Sequence, residues 1–286
     1  MADFADILVC PVCGKTLREE NRALRCAQNH SFDIAREGYV NLLPPSASRE
    51  RAGDLAGMLR ARRRFFEARG FAPLEDSLCR EAVRVAASSK GELRVLDAGC
   101  GDGRALRLVR AALRGAFHGR PVRAFGFDVA KEAARMSAKA DPECACFAAD
   151  TRARLPVADG AFGILLDLFA PRNMPEFARV LSRGGAMVCV FPKPGHLAGL
   201  REVVDLIDVH PEKEKLLFAQ AEPFFELERE EEIDFALDLT PALCADLVRM
   251  TPSARHLSES DFAALEKRDP PEVRAGLRML TFRKRA

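Results

Sequence analysis

A glycine-rich turn at residues 97–103 constrains the fold of this chain more than any other feature. The sequence there reads Asp97-Ala98-Gly99-Cys100-Gly101-Asp102-Gly103, directly behind the short strand-like segment Arg94-Val95-Leu96. Glycine lets the backbone approach a ligand or a facing strand closely. The helix-prone segment 104–113 that follows offers unpaired N–H groups at its N-terminus, which suit an anion. The pattern predicts a strand, a ligand-binding turn and a helix. The alternative, a tight turn that binds nothing, is disfavoured because later strands repeat the pattern.

Four further strand-like segments alternate with helical ones after this turn, at residues 123–129, 144–149, 163–169 and 186–191. Strands and helices in alternation predict an α/β fold, a Rossmann-like doubly wound parallel sheet. Ligands bind at the carboxyl ends of such strands, where an acidic residue accepts hydrogen bonds from ribose hydroxyls. The predicted cofactor-binding residues at these ends are Asp97, Gly99, Gly101, Asp102, Gly103, Asp128 and Asp150.

Length and charge narrow the class of protein. The chain has 286 residues, enough for about two domains, and its 44 basic residues nearly balance 42 acidic ones. Any surface for nucleic acid must therefore be local. The N-terminus does not resemble a signal peptide, and no apolar run is long enough to span a bilayer. Nine cysteines in a chain without a secretory signal predict thiols or metal ligands in a reducing cytoplasm.

A second motif lies near the N-terminus, with the spacing C-x2-C-x12-C-x3-H at Cys10, Cys13, Cys26 and His30. Three thiolates and one imidazole form a closed tetrahedral set that suits structural Zn²⁺. A module this small has little core of its own, so the metal would contribute directly to its folding. A redox pair at Cys10 and Cys13, or unrelated thiols, are the alternatives. The segment between the ligand pairs predicts a hairpin that turns near Glu20 and Asn21.

These motifs together resemble one family. The turn at 97–103 is similar to motif I of the class I S-adenosylmethionine-dependent methyltransferases. The cysteine motif, the segment 31–43 behind it, and the Pro194-Gly195-His196-Leu197 sequence extend the likeness over essentially the whole chain. The chain thus resembles the 23S rRNA (guanine-N1)-methyltransferases, in which a zinc module precedes a class I methyltransferase domain. The resemblance implies methyl transfer from S-adenosylmethionine to N1 of a guanine in a 23S rRNA hairpin loop.

The resemblance also implies a division of the chain and further site residues. We expect a zinc-binding RNA-recognition module at 1–43, a helical linker at 44–92, and the methyltransferase domain at 93–286. Phe71 and His196 would border the cofactor, and Asp150 would meet its adenine ring. Phe169 and Pro171 stand where an unpaired base could rest.

The linker contains a basic segment before Gly70, for which Asp54 is the predicted N-cap. Its arginines predict contact with RNA phosphates; the alternative is a solvated face paired with acidic side chains. The residues are Arg60, Arg62, Arg63 and Arg64.

Asp167, near the end of the fourth strand, is the predicted catalytic residue, because guanine N1 carries a proton at neutral pH and a base or orienting group must help to expose its lone pair. Beyond residue 200 we expect a helix at 200–207, an acidic outer strand at 224–239 and a last edge strand at 279–283.

Two other functions compete with the leading one: methylation of a small molecule, and RNA binding without catalysis. The zinc motif and basic segment disfavour the first, and the intact glycine turn disfavours the second. The expected partner is a 23S rRNA hairpin in the cytoplasm, without a membrane, and a homodimer is compatible with the sequence.

Overall fold

The structure, a computed structural model, describes Phe4 and residues 6–44, 53–204 and 212–285. Near the N-terminus, three short strands form an antiparallel sheet: β1 (Arg18–Glu20), β2 (Ala23–Arg25) and β3 (Ser31–Asp33). The turn between β1 and β2 holds Asn21 and Arg22 with positive φ, so the predicted hairpin is present.

A second, eight-stranded sheet forms the centre of the molecule. Its strands are β4 (Tyr39–Asn41), β5 (Leu93–Ala98), β6 (Val122–Asp128), β7 (Cys144–Ala148), β8 (Phe162–Leu168), β9 (Leu181–Pro192), β10 (Phe225–Leu237) and β11 (Val273–Lys284). Their spatial order is β10-β11-β9-β8-β5-β6-β7-β4. The strands from β9 to β4 are parallel to their neighbours, whereas β10 and β11 run antiparallel. This arrangement confirms the predicted doubly wound sheet.

Eight α-helices accompany the strands in the part of the chain that the structure describes. They are α1 (Ala56–Glu67), α2 (Ala72–Ala86), α3 (Arg104–Ala116), α4 (Lys131–Ala140), α5 (Met174–Val180), α6 (Glu212–Ala221), α7 (Pro241–Arg249) and α8 (Glu259–Leu265). Side chains of alternate strand residues face opposite sides of a sheet. Val95 of β5 accordingly belongs to the same apolar cluster as Leu106 of α3, while Leu96 belongs to a second cluster with Phe177 of α5. Apolar cores therefore lie on both faces of the sheet.

Two predictions about the C-terminal strands have different outcomes. The acidic strand β10 is the outer strand of the sheet, as predicted. The prediction that the last strand lies at the edge is wrong, because β11 lies between β10 and β9. The burial pattern gives the physical reason: most side chains of β11 are buried, whereas β10 is largely exposed. The charged strand stays in solvent, where it also discourages edge-to-edge pairing.

Two helix predictions need correction. The N-cap of α1 is Leu55, and Asp54 instead forms an ion pair with Arg62 at 2.6 Å. A carboxylate can satisfy either a helix N-terminus or a nearby guanidinium, and here the guanidinium is its partner. The helix predicted at 200–207 is represented by a short 3-10 helix, Ala198–Glu202; residues 205–207 lie outside the described residues. No α-helix among those described is long and apolar enough to cross a membrane.

The N-terminal segment is joined closely to the large sheet. Strand β4 pairs in parallel with β7, and Leu8 forms a β-bridge with Val157. The backbone N–H of Val9 donates to the carbonyl of Pro156 at 3.0 Å. The division at residues 1–43, 44–92 and 93–286 stays a prediction, and β4, inside the first of these segments, is a strand of the large sheet.

Candidate cofactor cleft and metal centre

The glycine turn after β5 is held against two neighbouring segments. Gly99 and Gly103 adopt φ of 76° and 78°, in the left-handed region. A Cβ on Gly99 would lie 2.6 Å from the Cβ of Ala170, and a Cβ on Gly103 would lie 2.0 Å from Oγ of Ser137. These two glycines therefore let the turn pack against the loop after β8 and against α4. The turn begins α3, so it lies at the carboxyl edge of the parallel strands, as predicted.

Asp97 is the least satisfied polar residue of this edge. Its side chain is 1% exposed, and neither carboxylate oxygen has a hydrogen-bond partner in the described part of the chain. Burial raises the pKa of Asp97 to about 8, and the nearby carboxylates of Asp128 and Asp167 add to the effect. A buried acid without a partner is costly to leave unpaired. Its surroundings fit a cationic group, such as the ammonium or sulfonium of S-adenosylmethionine.

Asp128 follows at the end of β6, one strand away. Its Oδ2 accepts a hydrogen bond from the backbone N–H of Gly101 at 3.0 Å, and Oδ1 accepts one from Ala130 at 2.8 Å. Burial raises the pKa of Asp128, and these two N–H groups oppose the shift. Each carboxylate oxygen can accept more than one hydrogen bond. Asp128 is thereby fixed in orientation and keeps the capacity to accept from a diol.

The other two predicted acids have local partners. Asp102 accepts a hydrogen bond from Nε of Arg63 at 3.0 Å and one from the backbone N–H of Arg104 at 3.3 Å. Asp150, buried just after β7, accepts one from the backbone N–H of Arg152 at 2.9 Å. All the predicted strand-end residues thus lie along one edge of the sheet, although Asp102 faces α1. Their contact with a cofactor stays a prediction.

An aromatic cluster closes one side of this edge. Phe71, 2% exposed, lies between α1 and α2, and its ring centroid is 6.2 Å from that of His196 and 6.5 Å from that of Phe169. Phe65 and Phe235 pack edge-on against the same ring, at 5.2 and 5.8 Å. The structure therefore brings the two residues predicted to border the cofactor, Phe71 and His196, into one cluster with Phe169.

His196 is held as a neutral ring. Its Nδ1 accepts a hydrogen bond from the backbone N–H of Gly276 at 3.2 Å. Burial lowers the pKa of His196 to about 4. A neutral imidazole whose Nδ1 accepts carries its proton on Nε2. His196 can therefore donate one hydrogen bond through Nε2, and it carries no charge at neutral pH.

Phe169 has an unusual backbone conformation. It is a non-glycine residue with φ of 59°, and the residue is 44% exposed. Its N–H donates to the carbonyl of Val190 at 3.0 Å, which holds the residue against β9. A bulky side chain in the left-handed region is strained, and such strain clusters at functional sites. The exposed ring thus stands at the rim of the cleft, between the cofactor edge and solvent.

Asp167 lies below this rim and is fully buried. Its Oδ2 accepts a hydrogen bond from Nε of Arg172 at 2.6 Å, and the Cys189 thiol lies 3.2 Å from the same oxygen. Its Oδ1 has no hydrogen-bond partner among the residues described. Burial raises the pKa of Asp167 to about 6, against the effect of the Arg172 charge. Arg172 was not predicted from the sequence, although its position directly after Phe169-Ala170-Pro171 was an available signal.

The four predicted RNA-binding arginines do not form one free basic surface. Arg62 pairs with Asp54, Arg63 with Asp102, and Arg64 with Asp246 of α7 through two hydrogen bonds. Arg60 is exposed, and its charge acts together with Arg135, the main cause, to lower the pKa of Glu132 on α4. Three of the four therefore match the alternative of arginines paired with acidic side chains, and their contact with RNA stays a prediction.

The N-terminal motif forms a compact cluster of metal-ligand atoms. The ligand atoms of Cys10, Cys13, Cys26 and His30 all lie within 4.8 Å of one another. Sγ of Cys13 and Cys26 are 3.6 Å apart, and Sγ of Cys26 is 3.4 Å from Nδ1 of His30. Sulfur ligands of a tetrahedral zinc at about 2.3 Å lie about 3.8 Å from each other. The spacing of this set therefore fits a closed four-ligand zinc site with no position left for water.

Two hydrogen-bonded backbone turns orient the four metal-ligand side chains. The N–H of Gly14 donates to the Cys10 carbonyl at 2.8 Å, and the N–H of Asn29 donates to the Cys26 carbonyl at 2.9 Å. Burial raises the pKa of Cys26, but backbone N–H groups at Gln28 and His30 outweigh it, and the pKa falls to about 6. A thiol that ionises this readily is suited to bind a metal.

Comparison with known proteins supports both halves of this description. Residues 8–50 match the zinc-ribbon family described as RlmA, N-terminal. The 23S rRNA (guanine(748)-N(1))-methyltransferase of Streptomyces fradiae is 36% identical over 90% of this chain and 88% of that protein. A relative from Micromonospora griseorubida, provisionally named a 23S rRNA (guanine-N(1)-)-methyltransferase, is 37% identical over 98% of both chains.

The chain belongs to the 23S rRNA (guanine-N1)-methyltransferase family. The resemblance seen in the sequence is thereby confirmed, and so are the zinc ribbon and the Rossmann-like methyltransferase fold. Among solved structures, the YcgJ protein from Bacillus subtilis is similar at a TM-score of 0.49, with 17% identity over 74% of this chain and 99% of that chain.

Proposed function

We propose that this protein transfers a methyl group from S-adenosylmethionine to N1 of a guanine in a hairpin loop of 23S rRNA. The observation that carries the proposal is the 36–37% identity, over nine-tenths or more of the chain, to proteins named for this activity. The site supports it with a glycine turn, an unpartnered buried acid and a strand-end Asp128 that can accept from a ribose.

The cofactor supplies a methyl group already activated by its sulfonium, so the chain needs no covalent nucleophile and no catalytic metal. Its own task is to hold the acceptor nitrogen in line with the methyl carbon and to exclude water. Asp97 binds the cationic amino-acid end, Asp128 accepts from the ribose hydroxyls, and Asp150 faces the adenine. Phe71 and the Nε2–H of His196 border the same cleft. These roles follow from position and hydrogen-bonding capacity.

Guanine N1 must lose its proton to solvent water during the reaction, and we propose that Asp167 assists by helping to orient the base. Its side chain is fully buried and its Oδ2 is bonded to Arg172. Arg172 keeps 20% of its side chain exposed. Asp167 therefore acts as an orienter through Arg172, and direct proton transfer to it would need the loop 169–172 to move. Near wild-type turnover by Asp167→Asn would remove this role.

The rim of the cleft supplies the support for the target base. RNA bases are read when they are unpaired and stacked on aromatic rings. We propose that the target guanine stacks on the exposed ring of Phe169, with Pro171 beside it. Arg60 and the exposed basic side chains of the zinc ribbon, Lys15, Arg18 and Arg25, contact the RNA backbone. Because the proposed substrate is ribosomal RNA, we propose that the protein acts in the cytoplasm; a homodimer stays a prediction.

The zinc ribbon is best tested by substitutions on its surface. Deletion of residues 1–43 would remove β4 from the large sheet and expose the apolar residues packed beneath the ribbon. Lys15→Gln and Arg18→Gln change exposed side chains of the ribbon and leave that packing in place. If neither variant weakened RNA binding at moderate salt, the ribbon would have no electrostatic role in RNA binding.

The decisive experiment is methyl transfer from labelled S-adenosylmethionine to unmodified total rRNA, followed by identification of the labelled nucleoside. We expect label in 1-methylguanosine from 23S rRNA. Label in another nucleoside would contradict the acceptor atom. Cofactor binding without any labelled RNA would favour a small-molecule substrate, and no cofactor binding would leave an RNA-binding protein without catalysis.

A further inference from the structure

A second unsatisfied charged group lies beside the glycine turn. Arg63, on α1, donates from Nε to Asp102 at 3.0 Å. Its Nη2 is buried and has no hydrogen-bond partner among the residues that the structure describes. Asp97 lies five residues before Asp102. Both of its carboxyl oxygens are likewise buried without a hydrogen-bond partner among the described residues. A carboxyl group and a guanidinium nitrogen are therefore both left unpaired around one turn.

These two groups do not satisfy each other. Asp97 forms no ion pair within the described residues, and the partner of Arg63 is Asp102. Buried polar atoms of a folded protein are almost always hydrogen-bonded, so an exception needs an explanation. A ligand that carries one cationic and one anionic group close together would satisfy both. The methionine part of S-adenosylmethionine carries an ammonium and a carboxylate on the same carbon atom.

We infer that Arg63 binds the carboxylate of the methionine part of the cofactor, opposite the ammonium that Asp97 binds. The inference rests on the proposed function, because it takes S-adenosylmethionine as the cofactor. It also moves Arg63 from the predicted RNA-binding set to the cofactor site. The guanidinium is planar, and when Nε is engaged by one carboxylate its terminal edge can still bind a second one.

Neighbouring arginines of α1 are less suited to this role. Arg64 donates hydrogen bonds from both Nε and Nη2 to Asp246, so these two nitrogens are already paired. Arg62 pairs with Asp54 at 2.6 Å, and its Nη1 lies beside Gly101 and Asp128, at the end of the turn assigned to the ribose. Arg60 is exposed on the surface of α1. Asp102 accepts the hydrogen bond from Nε of Arg63 and so fixes the guanidinium beside the turn. Asp102 is therefore a positioning residue.

The test measures binding and does not depend on turnover. Full-length wild type, Arg63→Gln and the matched control Arg60→Gln are titrated with S-adenosylhomocysteine by calorimetry. Each is also titrated with decarboxylated S-adenosylhomocysteine, which keeps the amine and lacks only the carboxylate. For Arg63→Gln we expect about 10- to 100-fold weaker binding of S-adenosylhomocysteine, the range for loss of a charged hydrogen bond. Affinity for the decarboxylated compound should stay within about twofold.

Each outcome has one meaning. Equal losses for both compounds would show that Arg63 only shapes the turn, and unchanged binding of both would also overturn the inference. Wild type that fails to bind S-adenosylhomocysteine would overturn the proposed function and this inference with it. If Arg63→Gln fails to fold by circular dichroism, Arg63→Lys replaces it. That variant keeps the charge and loses the fork, so it should show a smaller loss that is still confined to the carboxylate-bearing compound.

Discussion

The zinc ribbon and the cofactor turn use buried polar groups in opposite ways. In the ribbon, the ligand atoms of three cysteines and one histidine face one another within 4.8 Å, and the set is complete. At the turn, the carboxylate of Asp97 and Nη2 of Arg63 are buried without partners in the described structure. The first site fits one structural zinc ion, which would contribute to folding. The second keeps its polar capacity for a molecule that enters and leaves.

The two sites show what a buried polar atom without a hydrogen-bond partner means for stability and binding. A closed ligand set gives stability and no reactivity, because every donor already has its partner. An open set destabilises the empty protein and favours the bound one, since the ligand removes the penalty. Variants that close the open site or open the closed one should therefore change stability in opposite directions.

The largest effect should follow from opening the metal site. Cys13→Ser removes one thiolate, so we expect loss of stoichiometric zinc and a fall in Tm of roughly 10 °C. The ribbon packs on the large sheet through Leu8 and β4, so the whole chain should be destabilised. Metal content by mass spectrometry and thermal unfolding check both points.

The matched control is Cys79→Ser, which changes a half-buried thiol on α2 outside the ligand set. It should keep both zinc and Tm close to wild type. A Cys13→Ser protein that retained stoichiometric zinc would show that the ribbon does not need four ligands, and the contrast between the two sites would then lose one side.

Removing the unpaired carboxyl group at the glycine turn should instead stabilise the protein without bound cofactor. Asp97→Asn removes a carboxyl group whose pKa burial raises to about 8. An unfolded Asp has a pKa of about 3.9. Between these values the folded state binds more protons, so this residue lowers stability as pH rises through the window. The variant should therefore gain stability over wild type, and the gain should grow from about pH 6 to about pH 8.

The same substitution should weaken S-adenosylhomocysteine binding by about 10- to 100-fold, as loss of a charge-assisted hydrogen bond does. Urea unfolding at the two pH values and calorimetry measure the two effects. Common changes, such as titration of other groups, cancel in the difference between variant and wild type. A stability gain that did not depend on pH would mean that the Asp97 carboxyl group does not titrate between these pH values in the folded protein.

The features of the fold and the site that could be predicted from the sequence are those whose pattern lies within a short segment of the chain. The zinc ligands lie in two short motifs of 4 and 5 residues, so their spacing alone predicted the cluster. The strand-end acids were likewise predicted, because each follows its own apolar strand and parallel strands end at one edge. Fold class followed from the alternation of strands and helices.

The partners of the arginines could not be predicted in this way. Arg64 meets Asp246, which is 182 positions away along the chain, and Arg63 meets Asp102 across the glycine turn. A run of arginines on one helix has the same appearance whether its partners are RNA phosphates or distant carboxylates. The place of β11 inside the sheet was missed for a related reason, since strand order depends on long-range pairing.

A smaller effect should come from the rim of the cleft. Phe169→Ala removes the exposed ring and keeps the packing of Phe71 on Phe65, Phe235 and His196. Stacking of a base on an aromatic ring is worth about 1–3 kcal/mol, so we expect roughly a tenfold loss in kcat/KM for rRNA with unchanged affinity for S-adenosylhomocysteine. Phe169→Tyr keeps a stacking surface and should recover most of the activity. Equal activity of the alanine variant and wild type would exclude stacking on this residue.

The smallest effect distinguishes the two kinds of arginine on α1. Arg60→Gln removes a charge that is exposed to solvent, so RNA affinity should fall a few-fold and the slope of its salt dependence should decrease by about 1. Arg64→Gln leaves Asp246 without the guanidinium that pairs with it. It should lower Tm and leave the salt slope unchanged, because an arginine already paired within the protein releases few counterions from RNA. If Arg64→Gln changed the slope as much as Arg60→Gln, the pair with Asp246 would have to open in the complex, and the whole helix would then belong to the RNA surface.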